Sequence, residues 1–359
     1  MMPSAARGSV VGVVSMPDRA HMIAEEVLFP AALEVDVQGV IPRSHFELLA
    51  EQGFYGLVGR GEHGGLEIGF PSLAGIVETL ASGCLTTTFT WMQHHGVVRG
   101  LTKTANAELR EKYLSAAIRG EVRGGVAYAG AIPQPPRLWA TATDGGWLLS
   151  GEAPLVTGWG IVDVLQISAR NTAITAGELA GTIISGLVDA TADVGISVEK
   201  LGMVAAQGSN TVRLRFADYL LPVEKVTAEL SHRDFLATQH RTIRLNGCLA
   251  MGITTRCIRL ISEAGRGETA QLLHAEQNTI RGRLNAGLDE PATLPAARAA
   301  ASELAYRCAG AVVAAVGSSG ILLWQHAQRL VREATFTLVA AGRPEIKDCL
   351  LGVLSRVHE

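Results

Sequence analysis

Between Gly124 and about Val226 the hydrophobic period of this chain changes from helical to strand-like, and after Asp234 it changes back. The clearest marker is Thr211-Val212-Arg213-Leu214-Arg215-Phe216, where polar and apolar residues alternate strictly. Residues two apart share one face of a strand, so this pattern buries one side and wets the other. Asp144-Gly145-Gly146 supplies a turn, with Trp147-Leu148-Leu149-Ser150-Gly151 as the strand behind it. Residues 124–130, 155–163, 164–169, 181–188 and 200–203 extend the same block, and Pro133, Pro135 and Pro136 place a rigid, non-helical loop beside its first strand. A β-rich middle between helical flanks predicts an α+β chain in three parts. Residues 1–122 form an N-terminal helical domain, 123–228 an antiparallel β-domain and 229–359 a C-terminal four-helix bundle.

The flanks carry their own signals. Residues 44–53 begin with Ser44, have Glu47 three positions later and end at Gly53, the pattern of a capping-box helix. A Gly-rich loop over 59–69 follows, then helices through residues 76–81 and 108–119, the latter with Leu109, Tyr113, Leu114 and Ala117 on one face. Downstream, residues 242–264, 269–288, 295–316 and 321–338 have lengths that suit an antiparallel bundle.

Composition narrows the function. With 359 residues, 48% hydrophobic and 18% charged, the chain can bury a large core. Its net charge of −3 argues against a nucleic-acid partner. The longest apolar stretch, 309–323, is broken by Gly310, Gly317 and Gly320 and falls short of the roughly 20 residues a membrane span needs. The N-terminal run, with few basic residues and no small-residue cleavage pattern, reads as a cytoplasmic tail rather than a signal. Five scattered cysteines without CxxC spacing suggest neither a disulfide framework nor a metal site, but buried thiols.

Several phrases in order resemble the acyl-CoA dehydrogenase family. Leu49-Ala50-Glu51-Gln52-Gly53-Phe54-Tyr55-Gly56-Leu57 with Glu62-His63-Gly64-Gly65 is similar to that family's opening. Glu111-Lys112-Tyr113-Leu114 with Gly120-Glu121, Leu155-Val156-Thr157-Gly158 with Asp163, and Lys200-Leu201-Gly202 with Phe216-Ala217-Asp218 and Pro222 resemble its later phrases. The resemblance spans residues 20 to 355. It implies FAD held by Tyr128, Ala129, Leu155, Val156, Thr157, Arg266, Gly317 and Ser318, with Thr157 at the flavin edge. It also implies an acyl pocket bordered by Trp91, Met92 and His95, and a thioester substrate on CoA or an acyl carrier. The cofactor supplies the redox chemistry in such a protein, and the chain positions and polarises it.

The family's catalytic glutamate has no counterpart at either usual position. Aligning Gly342-Arg343-Pro344-Glu345-Ile346 puts Ala341 at one, and counting back from Ala250-Met251-Gly252 puts Thr242 at the other. Neither side chain is a carboxylate that can take up a proton. Histidine is the natural substitute near neutral pH, which makes His95, next to His94, a candidate base. Three functions follow from the resemblance: an FAD-dependent acyl thioester dehydrogenase with a relocated base, a non-catalytic subunit of a heteromeric dehydrogenase, or a flavin-dependent monooxygenase of the same fold. Each implies a homo-oligomer or a heteromer, because C-terminal helices in the family complete one another's cofactor sites.

Overall fold

The computed structural model describes residues 14–173, 181–340 and 342–355. Most of the N-terminal run read as a tail, residues 1–13, lies outside the described residues, as does Ala341. The first layer is helical. Helix α1 (Met16–Ile23) is capped by the Ser15 hydroxyl and runs through one π-turn into α2 (Phe29–Gln38), which stops at left-handed Gly39. Helix α3 (Arg43–Glu51) starts one residue before Ser44, directly after Pro42, so Ser44 lies inside the first turn and makes no cap. Glu47 pairs with Arg43 at 3.1 Å. The expected capping box is therefore absent, and proline sets the helix start. Helices α4 (Phe70–Gly83), α5 (Leu85–Met92), α6 (His94–Lys103) and α7 (Ala107–Ile118) complete the layer.

The middle layer holds strands β1 (Gly124–Ala127), β2 (Leu138–Thr143), β3 (Gly146–Val156), β4 (Val164–Asn171), β5 (Thr182–Asp189), β6 (Ile196–Lys200), β7 (Val212–Pro222) and β8 (Val226–Ser231). Their order is β6-β7-β3-β2-β4-β5-β8, with β1 also paired to β4. The predicted turn is real: β2 and β3 pair as a hairpin closed by Asp144-Gly145, with Thr143 opposite Gly146. The sheet is mixed rather than antiparallel, because β1 and β2 both run parallel to β4. Parallel neighbours need a long crossover, and the β2–β3 hairpin is inserted into the one that joins β1 to β4. Strand β3 also runs unbroken to Val156 through a register shift at Gly151, absorbing the start of the expected 155–163 segment.

The last layer comprises α8 (His232–Ala237), α9 (His240–Glu263), α10 (Gly267–Ala286), α11 (Leu294–Val316), α12 (His326–Val339) and α13 (Pro344–Leu354). Residues 322–325 are not helical, so α12 begins later than expected, and α13 is a further helix that the sequence reading did not anticipate. The helix over residues 291–316 is long and apolar enough, by length and composition, to cross a membrane. In this fold it packs among the other helices of the bundle, with Ala297, Ala301, Leu304, Ala305, Cys308 and Val312 buried.

Helices α1–α5 and the C-terminal helices share one continuous core, whereas the sheet has a core of its own. Gly252 of α9 lies so close to α4 that a Cβ there would sit 2.6 Å from the Ala81 Cβ. Beside it, Glu78 of α4 accepts from Arg244 Nη2 at 3.0 Å and Arg281 Nε at 2.8 Å. In α12, Arg329 and Glu333 form a buried pair at 2.7 Å, and Arg332 reaches Asp36 of α2. The Glu78 and Asp36 pairs tie the two helical layers together.

Candidate active site

Helix α6 crosses the sheet at close range over β1 and β4. Glycines make that approach possible: a Cβ at Gly96 would stand 2.7 Å from Val126 Cγ1 and 3.3 Å from the Tyr128 hydroxyl, and one at Gly100 would strike Gln166. His94 is the pin of the crossing. Its Nδ1 accepts the Gly124 amide at 3.0 Å, so the proton is on Nε2, which donates to the Ala117 carbonyl at 3.0 Å. Burial pushes its pKa down to about 3, helped by His95 nearby. This neutral ring joins α7, α6 and β1, and both its nitrogens are engaged.

Trp91, Met92 and His95 are the residues expected to border an acyl pocket. All three are buried in the helical layer. Trp91 meets Phe54 and His95 edge-on, with the His95 ring centroid 4.7 Å away. Neither nitrogen of His95 makes a well-formed hydrogen bond; the carbonyls of Met92 and Phe54 are the groups that face them. Burial holds its pKa down to about 4. A general base must reach its proton, and His95 is walled in by aromatic neighbours.

Tyr128, Arg99 and Arg241 are further polar side chains of this region. Tyr128, just past β1, packs over Gly96 and edge-on to Phe235 at 5.8 Å. Burial raises its phenol pKa well above the usual value, so it stays protonated. Arg99 follows Gly96 by three residues, one turn further along the same helix face. It is half-buried, and its pKa is lowered by burial first and by Arg241 second. Arg241, in the first turn of α9, lies over the Phe70 ring at 5.6 Å. Ala129 is exposed beside Tyr128. Arg99 and Arg241 lie too far apart along the chain to carry a shared local signal in the sequence.

At the end of β3, Leu155 is held in a left-handed conformation (φ 56°) and is 63% exposed, while Val156 and Thr157 are buried. The Thr157 hydroxyl lies 3.2 Å from that of Thr211, which is 2.8 Å from Ser209 Oγ. Thr157 is thus the end of a hydroxyl chain and not an isolated turn residue. Asp163, matched in the same phrase, accepts the Arg123 amide at 2.7 Å and so fixes the turn into β4.

Arg266 precedes α10, and Gly317-Ser318 follow α11. The two helices are antiparallel neighbours, so these three exposed residues come to one end of the bundle. Beside them runs an exposed apolar stretch: Ile321, Leu323 and Trp324 are each about 70% exposed. Thr242 is half-buried in the first turn of α9, where its carbonyl accepts from Asn246. On the approach to residue 341, fully buried Arg298 donates to the Thr337 and Ala340 carbonyls and so anchors the end of α12.

The comparisons with known proteins agree with this architecture. Residues 15–121 match the family model described as acyl-CoA dehydrogenase, N-terminal domain. The mitochondrial 2-methylacyl-CoA dehydrogenase of Solanum tuberosum is 22% identical over 363 residues, covering 92% of this chain and 87% of the relative. Among solved structures, butyryl-CoA dehydrogenase from Megasphaera elsdenii superposes with a TM-score of 0.80 at 19% identity, over 96% of this chain and 99% of that one. The FAD complex of PigA gives 0.79 at 19% identity, over 94% and 96%. The chain therefore has the acyl-CoA dehydrogenase fold along nearly its whole length, and its N-terminal helices match that family's own model.

Proposed function

We propose that this chain is an FAD-binding oxidoreductase of the acyl-CoA dehydrogenase superfamily that takes an acyl thioester. The observation that carries this reading is the end of β3. An aliphatic Leu155 displayed by left-handed backbone is a surface that a flat ring would cover, and Thr157 directs a hydroxyl network toward the same edge. Leu155, Val156 and Thr157 would hold the flavin edge, with Tyr128 and Ala129 beside it. Arg266, Gly317 and Ser318 would meet phosphate, and Gly317 leaves open space for such an approach. When bound, FAD supplies the hydride acceptor. The chain's own part is to orient the thioester and to exclude water through the aromatic walls of Tyr128, Phe235 and Phe70. PigA, whose structure is described with FAD, and butyryl-CoA dehydrogenase support the assignment through their shared fold.

The proton remains to be accounted for. His94 has both nitrogens engaged, His95 is enclosed, and Thr242 has no carboxylate. That favours a second reading, in which this chain is the non-catalytic subunit of a heteromer whose partner contributes the base. The exposed Ile321–Trp324 stretch beside Arg266 and Gly317-Ser318 is the surface on which a second subunit, identical or not, would pack. The purified chain's visible spectrum separates the two. A yellow protein bleached anaerobically by an acyl-CoA supports the first reading. A colourless one that gains flavin only with a second dehydrogenase subunit supports the second. A protein that takes up flavin in neither condition refutes both.

A further inference from the structure

We propose that a groove between α1, α4, α9 and α10 is a second binding site, for a ligand with a flexible aliphatic body and one carboxylate. The groove has a volume of about 830 Å³, within the range of small-molecule sites, and none of Tyr128, Leu155, Val156 or Thr157 lines it. Missing side chains make its space. Gly75 of α4 and Gly267, which opens α10, both line it, and a Cβ at either would meet nothing within 4 Å. The π-turn that follows α1 forms part of one wall and presents Glu25 there. Between the charged groups the walls are Ile258, Ala270, Thr79 and the two glycines. Among the described residues no Phe, Tyr or Trp lines the groove, so nothing in it stacks a flat ring, and an aliphatic chain suits the walls. The charges select the other end of the ligand. Glu25 accepts from Arg256 at 2.6 Å and from Arg259 at 2.5 Å, and Arg259 also reaches Glu263 at 2.9 Å. Glu78 accepts from Arg244 at 3.0 Å and from Arg281 at 2.8 Å. Four guanidiniums thus meet three carboxylates, which leaves one positive charge in excess around the groove. Arg281 is where that charge is available. Its Nε donates to Glu78 and its Nη1 to Asn278 Oδ1 at 2.6 Å, whereas its Nη2 donates no hydrogen bond among the described residues. Its side chain is 29% exposed, so the guanidinium is partly withdrawn from water, and a ligand carboxylate restores the missing acceptor and the missing charge.

The test is calorimetric titration of the 359-residue chain with octanoate, octan-1-ol and acetate, using wild type, Gly75→Ala, Gly75→Phe and Arg281→Gln. Wild type should bind octanoate roughly tenfold or more tightly than the alcohol, which lacks the charge, or acetate, which lacks the body. Gly75→Phe puts a ring into open groove and should abolish octanoate binding, while Gly75→Ala, which adds one methyl, should keep it. Neither substitution displaces a protein atom, so both variants should melt no lower than wild type. Arg281→Gln removes a charged donor and should weaken octanoate roughly tenfold or more with the alcohol unaffected. Octanoate that binds Gly75→Phe as it binds wild type sits elsewhere, and that result overturns the site. Alcohol bound as tightly as octanoate, or octanoate bound equally by Arg281→Gln, overturns the carboxylate assignment. A wild-type chain that binds no octanoate overturns the whole proposal. The thioester reading stands or falls separately, on the visible spectrum.

Discussion

Glu78 is the best place to test how the two helical layers are held together. Its carboxylate, on α4, accepts from Arg244 of α9 and Arg281 of α10, and Arg244 is 2% exposed. Glu78→Ala leaves that guanidinium buried with only neutral partners, the Asn285 side-chain oxygen and Cys248 Sγ. Breaking one side of a buried pair costs about 3–5 kcal/mol. Because Asn285 still accepts two of its hydrogen bonds, the lower end, about 3 kcal/mol, is expected. An unfolding entropy of about 2.1 cal/mol/K per residue, taken over this chain, converts that into a fall in Tm of about 4 °C if it unfolds as one unit. Differential scanning calorimetry beside Glu47→Ala gives the comparison. Glu47 pairs with Arg43 in the open, both side chains more than half exposed, and its loss should cost under about 0.5 kcal/mol. If Glu78→Ala melts no lower than Glu47→Ala, the argument that buried charge couples these layers is wrong.

Acid should weaken the fold through His94 and His95. Their folded pKa values, about 3 and about 4, lie below the ordinary 6.5, so each contribution is intact above pH 6.5. As pH falls below that, the unfolded chain binds protons the folded chain refuses, and stability drops by about 1.4 kcal/mol per pH unit for each ring until the folded pKa is reached. Urea denaturation of His95→Phe between pH 4 and 6.5 should show a shallower slope than wild type; equal slopes would count against buried neutral histidine. Gly252→Ala should cost about 1–3 kcal/mol, because its Cβ meets the Glu78 carbonyl and Ala81 at 2.6 Å. Gly282→Ala, on an exposed stretch of α10 with open space around it, should stabilise by up to about 1 kcal/mol, and the reverse order in denaturant midpoints would refute the packing account. A thiol reagent should titrate one cysteine in the native protein, Cys349, and five after unfolding. The other four are buried, with Cys248 and Cys308 pushed up to about 12, and labelling of any of them in native protein would contradict the structure.

Much of the architecture was legible in local pattern. The alternation at Thr211–Phe216 became part of β7, Asp144-Gly145 became a hairpin turn, and the long apolar periods of residues 242–316 became α9, α10 and α11. Misreadings came where two local rules competed. Ser44 looked like a cap, but Pro42 had already set the backbone for a helix beginning at Arg43. Ile321–Trp324 looked like helix by composition, yet it follows Gly317, whose backbone at φ 81° turns the chain out of α11.

The candidate site divides along the same line. Leu155, Val156 and Thr157 could be named from sequence because a contiguous phrase carries them, and Ala341 and Thr242 could be seen to lack a carboxylate by residue type alone. That Trp91, Met92 and His95 point into a core and that His94 bridges Ala117 and Gly124 were decided by tertiary structure. The physical reason is range. Periodicity and turn chemistry depend on covalent spacing within a few residues, so sequence alone determines where helices and strands form. Which face of α6 meets the sheet and which meets the core depends on how Gly96, Gly100 and Gly124 let distant segments close on one another.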